Sequence, residues 1–351
     1  MTVHQLVPAL HENDAIGETI VMFHRFLQDM NINARIWALS ADPLVDVPVD
    51  DLSAFSDNPG DVTLLHYALP SPATQALLAA KGKKAMVFHN ITPARFFKGI
   101  HPEFVHIANT GYEEVQYLRD QLDITICDSS YNRDILAGLG YENVHVFPVF
   151  INFSRLDGPV QRGVMRQLGD YLNILMLGRI SPNKCQQDAM RAFNLIKLKY
   201  YLKSRLWFVG KYTDHPLYHR SLIRFASAWG LSDVIFTGKV PARELNTYLR
   251  GCTVLLILSE HEGFCVPVLE GFHCRTPVVA YNAGAVAETM GTGGILLAKK
   301  DYAALAELLI RLHKDQDLRD QVIAGQLERL KDFSLPAQET RARELATLLL
   351  Q

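Results

Sequence analysis

The stretch Thr253–Asn282, TVLLILSEHEGFCVPVLEGFHCRTPVVAYN, decides how this chain is read. Val254–Leu258 is an apolar run with no polar alternation, as in a strand buried on both faces of a parallel sheet. Ser259–Cys265 is a polar loop ending in a glycine turn. Pro267 suits the first turn of a helix, where its missing N–H would be unpaired anyway. Pro277–Ala280 reads as the next buried strand. The whole is a strand–loop–helix–strand unit.

Two carboxylates are spaced as E-x7-E in it. Glu262 lies on the loop before the helix and Glu270 about one turn inside. A helix start attracts anions, phosphate above all. Open α/β sheets bind ligands at the loops beyond the carboxyl ends of their strands. A carboxylate there repels phosphate but accepts hydrogen bonds from sugar hydroxyls. A phosphate-binding helix start beside two carboxylates describes a nucleotide-sugar pocket. Taken alone, the spacing also fits a capping Glu262 and a solvated Glu270.

The longer run EGFCVPVLEGFHCRTPVVAYNAGAVAE resembles the donor-site signature of retaining glycosyltransferases of family 4, the bacterial cell-surface polysaccharide type. The usual first piece there is EGFGxPxxE, so Cys265 stands where glycine is frequent. The resemblance implies an α/β chain of the GT-B fold, with two Rossmann-like, doubly wound parallel-sheet domains facing across a cleft. Family members bind the donor through the backbone of Gly263, Phe264 and Cys265.

With 351 residues the chain is long for one core and suits two domains. Net charge is only −2, so bulk attraction to nucleic acid is not suggested. Residues 1–150 hold 9 Lys+Arg against 18 Asp+Glu, and the remainder 26 against 19, so an anionic donor belongs more naturally to the second half. The five cysteines are scattered without zinc-like spacing and read as thiols of a reducing cytosol. The start MTVHQLVPALHEND has no signal-peptide pattern, and no apolar run approaches a membrane span. A cytoplasmic protein is expected, with peripheral membrane contact as an option.

In the first half, strands are expected over Gln5–Leu10, Ala34–Leu39, Val62–Tyr67, Lys84–His89, Asp123–Ser129 and Val144–Val149. The loop His11–Thr19 carries one glycine, Gly17, ahead of an amphipathic helix with Ile20, Phe23, Phe26 and Leu27 on one face. The family often has two glycines here, at the loop facing the donor phosphates, and only Gly17 matches. His66 and His89 each close a strand. HNITPARFF resembles the acceptor-side segment of the family, in which the histidine matching His89 lies near the transferred sugar. Phe96, Phe97, Ile100 and Phe104 form either part of a packed helix or a lip for a lipid-linked acceptor.

VFPVFINFSRL resembles the family's interdomain crossing. The turn around Asp157-Gly158-Pro159 then divides the chain into an acceptor-side domain, 1–155, and a donor domain, 156–334. In the family the terminal helix, about 335–351, crosses back to the first.

In the second half Asn173–Leu177 is a buried strand, followed by Gly178-Arg179-Ile180-Ser181-Pro182-Asn183-Lys184. Arg179 and Lys184 thus share one strand end, suited to neutralise a departing diphosphate. The run resembles the family's GR-x-x-x-x-K clamp. Strands Leu206–Gly210 and Val234–Gly238 end in glycine, and Gly238-Lys239-Val240-Pro241 resembles the nucleobase-facing segment, placing Gly238 and Val240 in the donor site. Gly293–Leu297 is the last strand, before helices Tyr302–His313 and Leu318–Leu330.

The resemblance implies a hexosyl transfer, mannosyl as the favoured case, from a nucleoside-diphosphate sugar to a glycan or lipid-linked acceptor. It implies retention of configuration and needs neither cofactor nor metal, and no D-x-D motif follows a suitable strand. Its catalytic set maps onto Glu262, His89, Arg179 and Lys184, with Glu270 on the ribose. Rival readings are a nucleotide-sugar epimerase of the same fold, a nicotinamide dehydrogenase (which lacks its G-x-G-x-x-G here) and a non-catalytic scaffold.

Overall fold

A computed structural model describes residues 1–11, 14–200 and 202–351. Contacts divide the chain into two units. One comprises Met1–Ala94, Glu103–Asn152 and Phe333–Gln351, the other Arg95–Pro102 and Phe153–Asp332.

The first unit is built on strands β1 (Thr2–Leu10), β2 (Asn33–Ala41), β3 (Asp50–Asp51), β4 (Val62–Tyr67), β5 (Lys83–Phe88), β6 (Ile124–Cys127) and β7 (Val144–Val146). Their order is β3-β2-β1-β4-β5-β6-β7, and every pairing is parallel. The order reverses between β1 and β4, which makes that gap the topological switch point of a doubly wound sheet. β4 is buried along its whole length. The two-residue β3 lies in the Asp- and Pro-rich stretch, where no apolar run marks a strand.

The second unit has β8 (Leu172–Leu177), β9 (Ser204–Val209), β10 (Val234–Gly238), β11 (Val254–Ile257), β12 (Val278–Tyr281) and β13 (Ile295–Leu297). Their order is β10-β9-β8-β11-β12-β13, again all parallel. Here the switch point lies between β8 and β11. Its core gathers Ile174, Phe193, Phe208, Leu256 and Leu309 from the sheet and its helices. Ile100 packs against that core, and Phe97 is 4 % exposed. These side chains of the PARFFKGI segment are therefore packed inside the second unit, and the alternative of an exposed apolar lip does not hold for them. Among the described residues no helix is long and apolar enough to cross a membrane.

The helix Leu335–Leu350 belongs to the first unit. Ala342, Leu345, Ala346 and Leu349 join Val3, Phe23 and Leu64 in one apolar cluster. Gln338 fixes its start: the buried amide accepts from Ile151 N (2.7 Å) and donates to Ile151 O (3.1 Å) and Phe333 O (2.9 Å). Leucine has similar bulk but would strand these backbone groups. Gln338→Leu is therefore expected to destabilise the protein by about 1–3 kcal/mol, read as a lower denaturant midpoint.

Candidate active site

Two loops leave the sheet at the switch point of the second unit, one after β8 and one after β11. The first holds Gly178–Lys184 and the second Ser259–Cys265. They are tied at backbone level. Glu260 N donates to Asn183 O at 2.8 Å, and the Asn183 amide donates to His261 O at 3.2 Å. Ser181 Oγ in turn donates to Asn183 Oδ1 at 2.7 Å. Asn183 went unread in the sequence, although it is the polar residue beside Lys184 in the clamp run.

This stitching brings together two residues that are 78 positions apart. Lys184 Nζ donates to Glu262 Oε1 at 2.6 Å, with side chains 18 % and 9 % exposed. A pocket opens beside them, lined among others by Gly178, Lys184, Ser259, Glu262, Cys265 and Pro267. The ammonium has two further protons and the carboxylate a further oxygen, so the pair offers a ligand both a donor cation and an acceptor.

The backbone of Glu262 is held by Gly284. Ala285 N donates to Glu262 O at 3.0 Å. Gly284 has φ +57°, and a Cβ there would lie 2.4 Å from that same oxygen. Only glycine allows this approach. The sequence signal was the AGAVAE end of the quoted run.

The helix after this loop is Val266–His273, with Pro267 in its first turn. Cys265 precedes it at φ +85°, ψ +62°, in the left-handed region. That conformation explains why glycine is frequent at this position, since a Cβ is strained there. The thiol is buried, and burial pushes its pKa well up. The side chain serves as packing. Phe264 is also buried, its carbonyl accepting from Thr289 Oγ1.

Glu270, inside this helix, is 5 % exposed and paired with Arg155. Arg155 stands in the turn Phe153–Leu156 at the start of the second unit. The same segment grips the helix end, where Phe153 stacks on His273 at 5.0 Å and His273 Nε2 meets Asp157 Oδ1 at 2.7 Å. Arg155 was missed because nothing in its local sequence marks it. Its partner is 115 residues away.

Arg179 is exposed and has no carboxylate partner among the described residues. Its carbonyl accepts from the Gln186 amide at 3.2 Å. Its charge reaches His215, whose imidazole is pushed down to about 4 by burial first and by Arg179 second. Phe97 stacks on that ring at 5.2 Å and His101 meets it edge-on at 5.5 Å. Gly178, Gly210 and Gly238 end three adjacent strands. Gly210 N donates to Gly238 O at 3.0 Å, and a Cβ on Gly210 would fall 2.0 Å from Gly178 O. Gly238 has φ +78°, and Val240 follows, half-buried, before the helix Ala242–Gly251.

Two expectations in the first unit change. Gly17 is not a free backbone donor for phosphate. Its N–H donates to the Asp14 carboxylate, which caps the helix Ala15–Asp29, at 3.2 Å. Glycine is needed there because a Cβ would lie 2.5 Å from His11 O. Glu12 and Asn13 of the same loop lie outside the described residues. His89 is 1 % exposed at its side chain, and both ring nitrogens are engaged, Nε2 with His66 at 3.0 Å and Nδ1 with Asp128 at 2.9 Å. A direct hydrogen bond from its ring to a substrate would require one of these contacts to open.

One group of side chains has metal-like spacing among the described residues, Cys185, Asp188 and Glu260. Lys300 Nζ already sits between its carboxylates, 2.8 Å from Asp188 and 2.9 Å from Glu260. Burial pushes the Cys185 thiol up to about 11. The Lys300 ammonium thus already neutralises the two carboxylates of this cluster.

Residues 172–315 match the family model described as glycosyl transferases group 1. An uncharacterized glycosyltransferase of Methanocaldococcus jannaschii is 25 % identical over 290 residues, 78 % of this chain and 71 % of that protein. A D-inositol 3-phosphate glycosyltransferase of Frankia alni is 31 % identical over 179 residues, 48 % of this chain and 43 % of that one. A serotype-specific mannosyltransferase of Escherichia coli is 26 % identical over 180 residues, 51 % of this chain and 22 % of its own. The chain thus spans less than half of the latter two relatives. The crystal structure of Anabaena HepE in complex with UDP-glucose superposes with a TM-score of 0.76 at 17 % identity, covering 99 % of this chain and 100 % of that one. The fold is that of GT-B glycosyltransferases, and the match to the group 1 family model lies within the second unit, over residues 172–315.

The strained cysteine gives a test of the loop. Cys265→Gly is expected to leave nucleotide binding unchanged. Cys265→Val, with a branched Cβ in the left-handed region, is expected to cost about 1–3 kcal/mol of stability. Denaturant midpoints and calorimetric titration with nucleoside diphosphates check both.

Proposed function

We propose that this glycosyltransferase moves a hexosyl group, a mannosyl group in the favoured case, from a nucleoside-diphosphate sugar to a glycan or lipid-linked acceptor. The reaction retains anomeric configuration and runs without a divalent ion. The observation that carries this reading is the Lys184–Glu262 pair, held by two stitched loops at the switch point of the second sheet. The likeness to a serotype-specific mannosyltransferase supports the sugar and the surface-polysaccharide setting.

In this reading Lys184 and the exposed Arg179 stabilise the departing nucleoside diphosphate, the work that a metal ion does elsewhere. The backbone of Gly263–Cys265 at the helix start lies against the same phosphates. Glu262 accepts from donor-sugar hydroxyls and offsets positive charge growing at the anomeric carbon. Glu270 accepts from the ribose hydroxyls, oriented by Arg155. Gly238 and Val240 face the nucleobase. The acceptor hydroxyl attacks from the face that the diphosphate leaves. Its oxygen bonds to the anomeric carbon as the carbon–phosphate-oxygen bond breaks, and its proton passes to the departing phosphate oxygen. His89 belongs to the acceptor side, through the resemblance. The enzyme works in the cytoplasm, reaching a lipid-linked acceptor at the membrane face.

Incubation with a panel of nucleoside-diphosphate sugars, with a chelator present, tests this. One sugar donor is expected to release its nucleoside diphosphate at an undiminished rate, with the anomeric configuration of the sugar retained by NMR. Lys184→Ala is expected to slow release about 10²–10³-fold. Release that needs a divalent ion, or an inverted product, would contradict the mechanism. Conversion of the sugar without nucleotide release would favour an epimerase, and no turnover of any donor a scaffold.

A further inference from the structure

The carboxyl ends of β4, β5 and β6 hold a buried chain of polar groups that the transfer chemistry does not use. It begins at Gln5 on β1, which is fully buried. The Gln5 amide nitrogen lies 3.2 Å from the carbonyl of Ile20, which can only accept, so the amide oxygen is the atom facing His66 Nε2 at 3.0 Å. An amide oxygen also only accepts. His66 Nε2 therefore carries a proton. Burial first, and the neighbouring His89 second, push the His66 imidazole well down, so the ring is neutral and its Nδ1 is bare.

That bare nitrogen lies 3.0 Å from Nε2 of His89, with the two rings stacked at 5.2 Å and 9°. A bare nitrogen has to be given a proton, so His89 Nε2 is the donor. On the other side of the ring, Nδ1 lies 2.9 Å from Asp128 Oδ2. Asp128 is 4 % exposed, and its second oxygen has no hydrogen-bond partner among the described residues. With so few other partners, a carboxylate buried here is stabilised by a cation against it.

We infer that His89 is an imidazolium with a proton on both ring nitrogens, donating to Asp128 through Nδ1 and to His66 through Nε2. The groups that face it are His66 from β4 and Asp128 from the end of β6. The arrangement follows the logic of a histidine held by a buried aspartate, in which the proton stays on the ring. His89 then has no bare nitrogen to serve as a base. It is a positioning residue, fixing by charge the strand end from which Asn90 departs at φ +76°. The assignment is independent of the donor and of the sugar transferred.

Imidazole NMR of the full-length ¹⁵N-labelled protein at neutral pH reads the ring protons directly. His89 is expected to show two proton-bearing ring nitrogens and His66 one, at Nε2. Asp128→Asn removes the charge that holds the extra proton, and His89 is expected to lose one of its two. A single proton-bearing nitrogen on His89 in the native protein would overturn the assignment, as would both protons persisting in Asp128→Asn. The native spectrum decides by itself should the variant not fold.

Discussion

The candidate site of the second unit is organised around one ion pair, Lys184 with Glu262 at 2.6 Å. Each partner sits on a loop that the sheet order alone would leave merely adjacent, one after β8 and one after β11. The backbone bonds through Asn183 make the two loops one object, and Gly284 closes it from the side of β12. A charge pair this sheltered is costly to desolvate and is weak evidence for stability in itself. Its retention at a switch point is what gives it meaning, because that is where doubly wound sheets take ligands.

The same economy applies to Glu270. Inside a helix and 5 % exposed, its carboxylate would be an uncompensated buried charge without Arg155. Both glutamates of the E-x7-E spacing are therefore held by a cation before any ligand arrives. The first unit handles buried charge in a parallel way, with Asp128 held by His89. Glu262, Glu270 and Asp128 each meet their partner on another element.

Much of the fold was legible. The buried strand Val254–Ile257 read directly, because an unbroken apolar run suits a strand covered on both faces of a parallel sheet. Asp50–Asp51 did not read, since two acidic residues pairing at a sheet edge leave no hydrophobic trace. The site was legible where chemistry is local. The run from Glu262 to Glu270 announced carboxylates around a helix start, and the unusual Cys265 marked a position that demands a left-handed backbone. Arg155 and Asn183 stayed hidden because their roles exist only through partners distant in sequence. A glycine before a helix fits a phosphate loop and a capped turn equally, and here the Gly17 N–H donates to the capping Asp14. HNITPARFF, likened to one acceptor-side segment, is split by contacts that no local pattern records, with Arg95–Pro102 joining the second unit.

Calorimetric titration of a nucleoside diphosphate into the wild type and into Glu270→Gln, repeated with the 2′,3′-dideoxy nucleotide, tests the central claim most directly. The donor-pocket account predicts that the wild type binds the ribonucleotide more tightly than its dideoxy analogue and that Glu270→Gln loses this preference. Equal affinity of the wild type for both nucleotides would contradict it, because the carboxylate that Arg155 holds would then not meet the ribose.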